Sequence, residues 1–567
     1  GDMQPNPNLP ELQFEPEKPI TTPVVKEVYG LEAANVMLGW RLPGANDKST
    51  DISDIVGSIL YNGQAGLIDL DLNQQQKVLS AYGYASTQPD YSSFLVAGRP
   101  KTGQSLDEVR DLLLEEVAKL REGDFDEKLI EATINNYKMQ LMRSFEENDS
   151  RAILYVYSFI SGADWADEVA RIDRMSKITK QDVVDWANKY LGPESYAIIY
   201  KREGKDPDEQ KIAAPKITPI VTNRDSQSEF LSEIQTSQVQ PIEPVFVDYK
   251  KDMSQFEAQP GIDVLYKKNE TNDIFTLIYV FNTGTENDPA LNLAFNYLSY
   301  LGTDKMTAEE IASEMYDIAC SFYMNAGANQ SSIQITGLSE NMGKAMEIVE
   351  GLIAGAKPDE AILENLKGDM LKSRADAKLN QSRCFGALQR YLFYGGDFIR
   401  RTTLTDPALQ ALTSEQLLAK IGGLMGKQHE VLYYGPQKEA EVKSALAKHH
   451  KVAADLQPLE KKFSTLLPTD ANKVVLAQYD AKQLYYLQFS NRGEKFDVAA
   501  DPEITLYNEY FGGGMNTIVF QEMREARGLA YTAWATLATP SNANGDYSYY
   551  AFIATQNDKM QKAVEAF

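Results

Sequence analysis

Two side chains able to donate hydrogen bonds to a carbonyl oxygen stand seven residues apart in the stretch FGGGMNTIVFQEMREARGLAYTAWA, residues 511–535. They are Arg524 and Tyr531, one on each side of Gly528. A guanidinium and a phenol on neighbouring elements can stabilise negative charge growing on a carbonyl oxygen. One donor of this kind contributes on the order of 3 kcal/mol. Arg527 places a second guanidinium nearby. Spacing alone favours an ordinary surface arginine beside a core tyrosine, so the surrounding elements must decide. Glycines 512–514 suit a tight entry into a helix, Gly528 suits its end, and Tyr531 then opens a strand. No Gly-Lys-Ser/Thr follows the glycine triplet, so it reads as backbone freedom at a turn and not as a phosphate loop.

The rest of the chain offers little metal chemistry. It has three histidines and two cysteines in 567 residues. His429 precedes the apolar run VLYYG and reads as a loop or strand-edge residue. His449 and His450 close a lysine-flanked helix, EAEVKSALAKHH, and adjacent helical residues point about 100° apart, which suits no shared metal. Neither H-x-x-E-H nor H-x-x-H occurs, so no histidine-bound catalytic zinc is expected in this chain. Cys320 and Cys384 provide neither a disulfide framework nor a cysteine zinc site, and Cys384 in NQSRCFGALQRYLF reads as a helix-core residue.

Composition narrows the partners. Against 56 basic residues stand 81 acidic ones, a net charge of −25, so nothing here would displace counterions from a nucleic acid. The acidity serves solubility first and could also favour basic peptides. No apolar run approaches the roughly 18–20 residues that span a bilayer.

The elements that must position the pair come in repeats. ITKQDVVDWANKYLGPESYAIIYK (178–201) matches LTSEQLLAKIGGLMGKQHEVLYYG (412–435), with Thr179 and Thr413 lying 234 positions apart. DYSSFLVAG (90–98) parallels DYSYYAFIA (546–554), 456 positions on. Proline-rich or polar segments at 1–20, 205–241 and 452–470 read as linkers. They divide the chain into domains at 21–204, 242–451 and 471–567. The last is expected to be incomplete, because the first continues for roughly 93 residues beyond the position equivalent to Phe567. In each full repeat, strands precede several helices and a final strand. Helical periodicity covers 106–122, 126–146, 343–356 and 359–379. The expected fold class is α+β: repeated two-layer domains, each a mixed, mostly antiparallel sheet covered by helices.

The block 511–535, the repeat length and the paired α+β units together resemble the pitrilysin/insulinase family of zinc metallopeptidases. The resemblance covers nearly all of 21–567, taken as domains two, three and part of four of a four-domain clamshell. It implies that Arg524 and Tyr531 reach a substrate carbonyl, and that Zn is held by an upstream domain or companion subunit carrying H-x-x-E-H. This chain would bind none. In the middle domain the zinc helix corresponds to LNLAFNYLSYLGT (291–303), with Leu293, Asn296 and Tyr297 where metal-binding members have His, Glu and His. In the first, aligning Gly63 with Gly513 sets Gln74 opposite Arg524 and Ala81 opposite Tyr531, so that copy reads as structural. The implied function is the C-terminal portion of a zinc metalloendopeptidase that hydrolyses peptides in an enclosed chamber. The alternative is a non-catalytic partner subunit, scaffold or peptide-binding module of the same fold. A periplasmic or envelope location is the expectation for a bacterial member.

Overall fold

A computed structural model describes residues 7–8, 15–210, 226–459 and 464–567, so parts of the linkers at 1–20, 205–241 and 452–470 lie outside the described residues. Alternation builds the first sheet. In β2 (Asn35–Pro43), Val36, Leu38, Trp40 and Leu42 are buried on one face, and β4 (Tyr91–Arg99) pairs with it antiparallel. With β1 (Val24–Gly30), β3 (Ser80–Ser86) and β5 (Tyr196–Glu203), the order is β1-β5-β2-β4-β3, and only β1–β5 is parallel. Three helices lie against this sheet, α1 (Thr50–Leu60), α2 (Leu106–Glu122) and α5 (Lys180–Tyr190). Two more follow α2 in the chain, α3 (Lys128–Ser144) and α4 (Asn148–Ser161).

The middle unit repeats the plan. It adds an edge strand, β6 (Ser254–Gln259), to β7 (Ile262–Lys268), β11 (His429–Gly435), β8 (Ile274–Phe281), β10 (Ser331–Leu338) and β9 (Cys320–Ala326), in that order, and β7–β11 is again parallel. Its longer helices are α6 (Leu291–Leu298), α7 (Ala308–Asp317), α8 (Met342–Gly355), α9 (Glu360–Ala377), α10 (Gln381–Thr402), α11 (Ser414–Met425) and α12 (Glu439–His449). The repeat reaches the helix starts. Thr179 and Thr413 each accept the N–H three residues on, from Asp182 and Gln416, whose side chains accept the cap N–H in return. It also reaches two glycines 233 positions apart: Gly162, which ends α4, and Gly395, at a kink inside α10, both take positive φ, 69° and 79°.

The first two units are joined by polar groups that bond across their boundary. Asn136 on α3 donates to the carbonyl of Tyr316 at 2.8 Å, and the Tyr316 hydroxyl lies 3.2 Å from Thr133 Oγ1. Arg99 pairs with Asp376 at 2.8 Å across the same boundary. The third unit is a three-stranded sheet, β12 (Gln483–Ser490), β14 (Ser548–Gln556) and β13 (Thr532–Ala538), with α13 (Asp501–Phe511) and α14 (Met560–Ala566). Its second face is covered from the middle unit. Phe385 of α10 sits 5.4 Å from Tyr485 and 5.9 Å from Phe552, and Phe393 sits 4.6 Å from Phe489 and 5.2 Å from Tyr550, ring centre to ring centre.

His429 departs from its expected place. It begins β11, an interior strand, and is buried. Its Nδ1–H donates to the Lys427 carbonyl at 2.8 Å, which leaves Nε2 to accept from His450 Nε2–H, also at 2.8 Å. His450 Nδ1 then shares a proton with Glu350 at 2.6 Å, and Tyr279 packs 4.1 Å from the His450 ring. The sequence hides this because the two rings are 21 positions apart and meet only through the sheet. Burial pushes the His429 pKa down to about 4. A base whose folded pKa is depressed takes up fewer protons than its unfolded form between about pH 4 and 6.5. The stability of the middle unit is therefore expected to fall as pH drops through that window, by up to about 3 kcal/mol. Hydrogen-exchange protection of the β11 amides, corrected for intrinsic rate, measures it, and a flat profile would refute the assignment.

Candidate functional site

The third unit builds the Arg524/Tyr531 block around a small core. Val519, Met523, Ala533, Ala535, Ala551, Ile553 and Ala563 pack between sheet and helix. A short helix, Ile518–Phe520, runs into a π-helical turn, Gln521–Ala526. Met523 points inward and is buried, so the next residue, Arg524, emerges at the edge of the core with its side chain 36% exposed. Gly528, at φ 55°, stops the turn, and the Leu529 N–H closes it on the Met523 carbonyl at 2.9 Å. Tyr531 falls just before β13, with its N–H directed to the Ala554 carbonyl at 3.3 Å and 71% of its surface exposed.

The two side chains meet. The Arg524 guanidinium carbon lies 4.7 Å from the Tyr531 ring centre and 5.0 Å from that of Phe520, so the cation is held between two aromatic faces. Its Nε is 3.6 Å from Glu525. Arg527 turns elsewhere and pairs with Glu522 at 3.2 Å. The pair therefore forms an exposed donor platform on the rim of the sheet, and the neighbouring guanidinium is engaged in its own ion pair.

The first unit has the same turn with different chemistry. Its π-helical turn is Asp69–Gln74. Buried Ile68 and Leu72 match Val519 and Met523 at a spacing of 451, and the strands that follow begin 452 apart, at Ser80 and Thr532. Packing thus sets Asn73 opposite Arg524 and Leu79 opposite Tyr531, a shift of one and two positions from the glycine alignment. Asn73 is consumed internally, bonded to both the N–H and the carbonyl of Ala81 at 2.8 Å. Asp69 closes the preceding loop by accepting the N–H groups of Asn62, Gly63 and Gly66 at 2.8, 3.0 and 3.0 Å.

The residues at the zinc-helix position of the middle unit do not fit a metal. Leu293 and Tyr297 on α6 are buried among apolar side chains, and Asn296 is exposed. The Tyr297 hydroxyl is taken by the Asp359 N–H at 2.7 Å and by Ser414 Oγ at 2.8 Å. Among the described residues no group of three or more His, Cys, Asp or Glu side chains could hold a metal ion, and no helix is long and apolar enough to cross a membrane. A cleft of about 440 Å³ runs between the first and middle units, lined by Gln74, Tyr300, Thr303, Lys357 and Asn365 among others, with no residue from 511–535.

The units are repeated α+β folds with an exposed arginine–tyrosine platform and, among the described residues, no group able to hold a metal ion. The family model described as the Peptidase M16 inactive domain matches residues 1–137 and 428–567. An uncharacterized zinc protease of Streptomyces coelicolor is 22% identical over 266 residues, 44% of this chain and 56% of that protein. The periplasmic protease PqqL from Escherichia coli aligns over 98% of this chain and 65% of its own, at 13% identity and a TM-score of 0.46. A peptidase M16 inactive domain from Pseudomonas fluorescens aligns over 56% and 78%, at 17% identity and a TM-score of 0.47. These matches support the peptidase M16 family, the pitrilysin/insulinase zinc metallopeptidases, over just under half of the chain, which spans just over half the length of the curated relative it matches.

Glycine use at the block gives a sharp test. A Cβ on Gly512 would meet the Ala535 carbonyl oxygen at 2.3 Å, whereas one on Gly514 would meet open space. Gly512→Ala is expected to destabilise the third unit by about 1–3 kcal/mol through forced separation of α13 and β13, with Gly514→Ala close to neutral. Urea unfolding followed by the near-ultraviolet signal of Trp534 would resolve the two.

Proposed function

We propose that this chain is the substrate-gripping, metal-free part of a zinc metalloendopeptidase. Its three units act as the second, third and fourth domains around a peptide chamber. The observation that carries the reading is the Arg524 guanidinium stacked 4.7 Å over the exposed Tyr531 ring, two donors on one rim in a chain that has Leu293, Asn296 and Tyr297 at the metal-helix position. Stacking orients the guanidinium plane before substrate arrives, so little rotamer freedom remains to be lost when its N–H groups meet a carbonyl oxygen. Donors fixed in advance stabilise the charge that develops on that oxygen more than they stabilise the ground state. The metal, supplied by the companion half, would activate water and polarise the carbonyl. The chain's net charge of −25 would favour basic peptide segments over acidic ones.

The test uses the complete protein with its companion half. Arg524→Ala is expected to lower kcat for peptide hydrolysis by about 10²–10³, and Arg524→Lys to recover part of it because a point charge replaces the planar fork. Stability should change by no more than about 0.5 kcal/mol, since the side chain is partly exposed and outside the core. Unchanged turnover in Arg524→Ala, with zinc bound by the companion half, would remove the pair from the reaction and leave a scaffold.

A further inference from the structure

The buried residues of the Arg524 turn decide what its next face carries. Val519 and Met523, four positions apart, point into the core of the third unit. One residue further on, Phe520 and Arg524 repeat that spacing, rotated by roughly a quarter turn, at the boundary between core and solvent. The Phe520 ring is partly buried there, and the Arg524 guanidinium carbon lies 5.0 Å from its centre. Tyr531 approaches from the start of β13, at 4.7 Å. Glu525 stands 3.6 Å from the Arg524 Nε.

The sibling turn of the first unit differs at all three positions of this stack. At the core spacing of 451, Phe520 and Arg524 fall on Asp69 and Asn73, and at the strand spacing of 452 Tyr531 falls on Leu79. Asp69 and Asn73 are bonded to backbone groups of the 62–66 loop and of Ala81. That copy has neither a ring nor a cation at any of the three places. Phe520 thus belongs with Arg524 and Tyr531 as part of one device, on the face where the two copies diverge, and not with the buried positions that they share.

We propose that Phe520 is a positioning residue for the Arg524 grip: with Tyr531 it forms a slot that holds the guanidinium plane, so that a substrate carbonyl meets a cation already oriented. The role rests on the function proposed above. Its physical reason is the shape of the cation. A guanidinium is flat and weakly hydrated, so rings can lie against it and restrain its plane while its N–H edge remains available to an acceptor. One ring alone leaves the plane free to swing away into solvent. Phe520 has no polar side-chain atom, so it cannot bond a substrate oxygen and acts through Arg524 alone. A donor set in advance is used in the transition state, which places the effect of position 520 on kcat and not on KM.

The test uses the complete protein with its companion half. Phe520→Leu, which keeps apolar bulk without a ring, is expected to lower kcat about tenfold while KM changes less than about twofold, and Phe520→Tyr to stay within about twofold of the parent. Chemical rescue then probes the slot itself. Free guanidinium at about 50 mM is expected to raise turnover of Arg524→Ala about tenfold, whereas methylammonium, a cation without a plane, has no effect. The double variant Phe520→Leu/Arg524→Ala should respond to neither. Arg527→Ala, whose guanidinium pairs with Glu522 in the parent, is the control and should keep parental turnover. Parental kcat in Phe520→Leu beside a collapsed Arg524→Ala overturns the slot and leaves the grip standing. Equal losses in Phe520→Leu and Phe520→Tyr, or rescue that survives removal of the ring, overturn it in the same way. Parental turnover in Arg524→Ala removes grip and slot together. Circular dichroism and the urea midpoint check that Phe520→Leu is folded, and Phe520→Met makes the same comparison if it is not.

Discussion

A β-sheet has two faces, and in a chain of two-layer units only one of them is covered by the unit's own helices. The aromatic seam in which Phe385 and Phe393 meet Tyr485, Phe489, Tyr550 and Phe552 solves that problem for the third unit. Aromatic pairs at these separations add to the area they bury, so the seam fixes orientation as well as association. Everything about the candidate site depends on this anchor. β13 and β14 are positioned by it, the short core of Val519 and Met523 packs on their other face, and Arg524 leaves the core at a direction set by that packing.

The first and middle units are held by a different kind of contact. Asn136, Tyr316 and Thr133 are buried polar groups that satisfy one another across the boundary. Separating the units would strand those groups, a loss of about 1–3 kcal/mol for each that finds no water in exchange. The polar lock resists sliding, because the Asn136 and Tyr316 bonds across the boundary are buried and directional. The aromatic seam tolerates small shifts. The chain therefore joins a rigid pair to a third unit on a softer bearing.

Much of this was readable in the amino-acid order because the signals are local. The periodicities at 106–122 and 359–379 became helices at Leu106–Glu122 and Glu360–Ala377, and the cap residues Thr179 and Thr413 act at the positions their spacing indicates. What stayed hidden is contact across long separations. His429 next to Val431 looks like a strand edge until β7 and β8 are placed on either side of it. Phe385 and Phe393 have the spacing of a core helix, and no local pattern says that the core belongs to another unit. The glycine alignment of the two blocks was off by one to two residues because glycines mark turns, whereas buried Leu72 and Met523 mark the register. The stacking of Arg524 on Tyr531 depends on the width of the turn between them, which composition does not encode.

That width is common to both copies: each carries a six-residue π turn, Asp69–Gln74 and Gln521–Ala526, with its core residue, Leu72 or Met523, buried beneath it. The solvent side of such a turn is thus decoupled from its buried side. One copy has used that freedom to tie a loop shut with Asn73, the other to lift a cation into the open, and neither change had to renegotiate the fold beneath it.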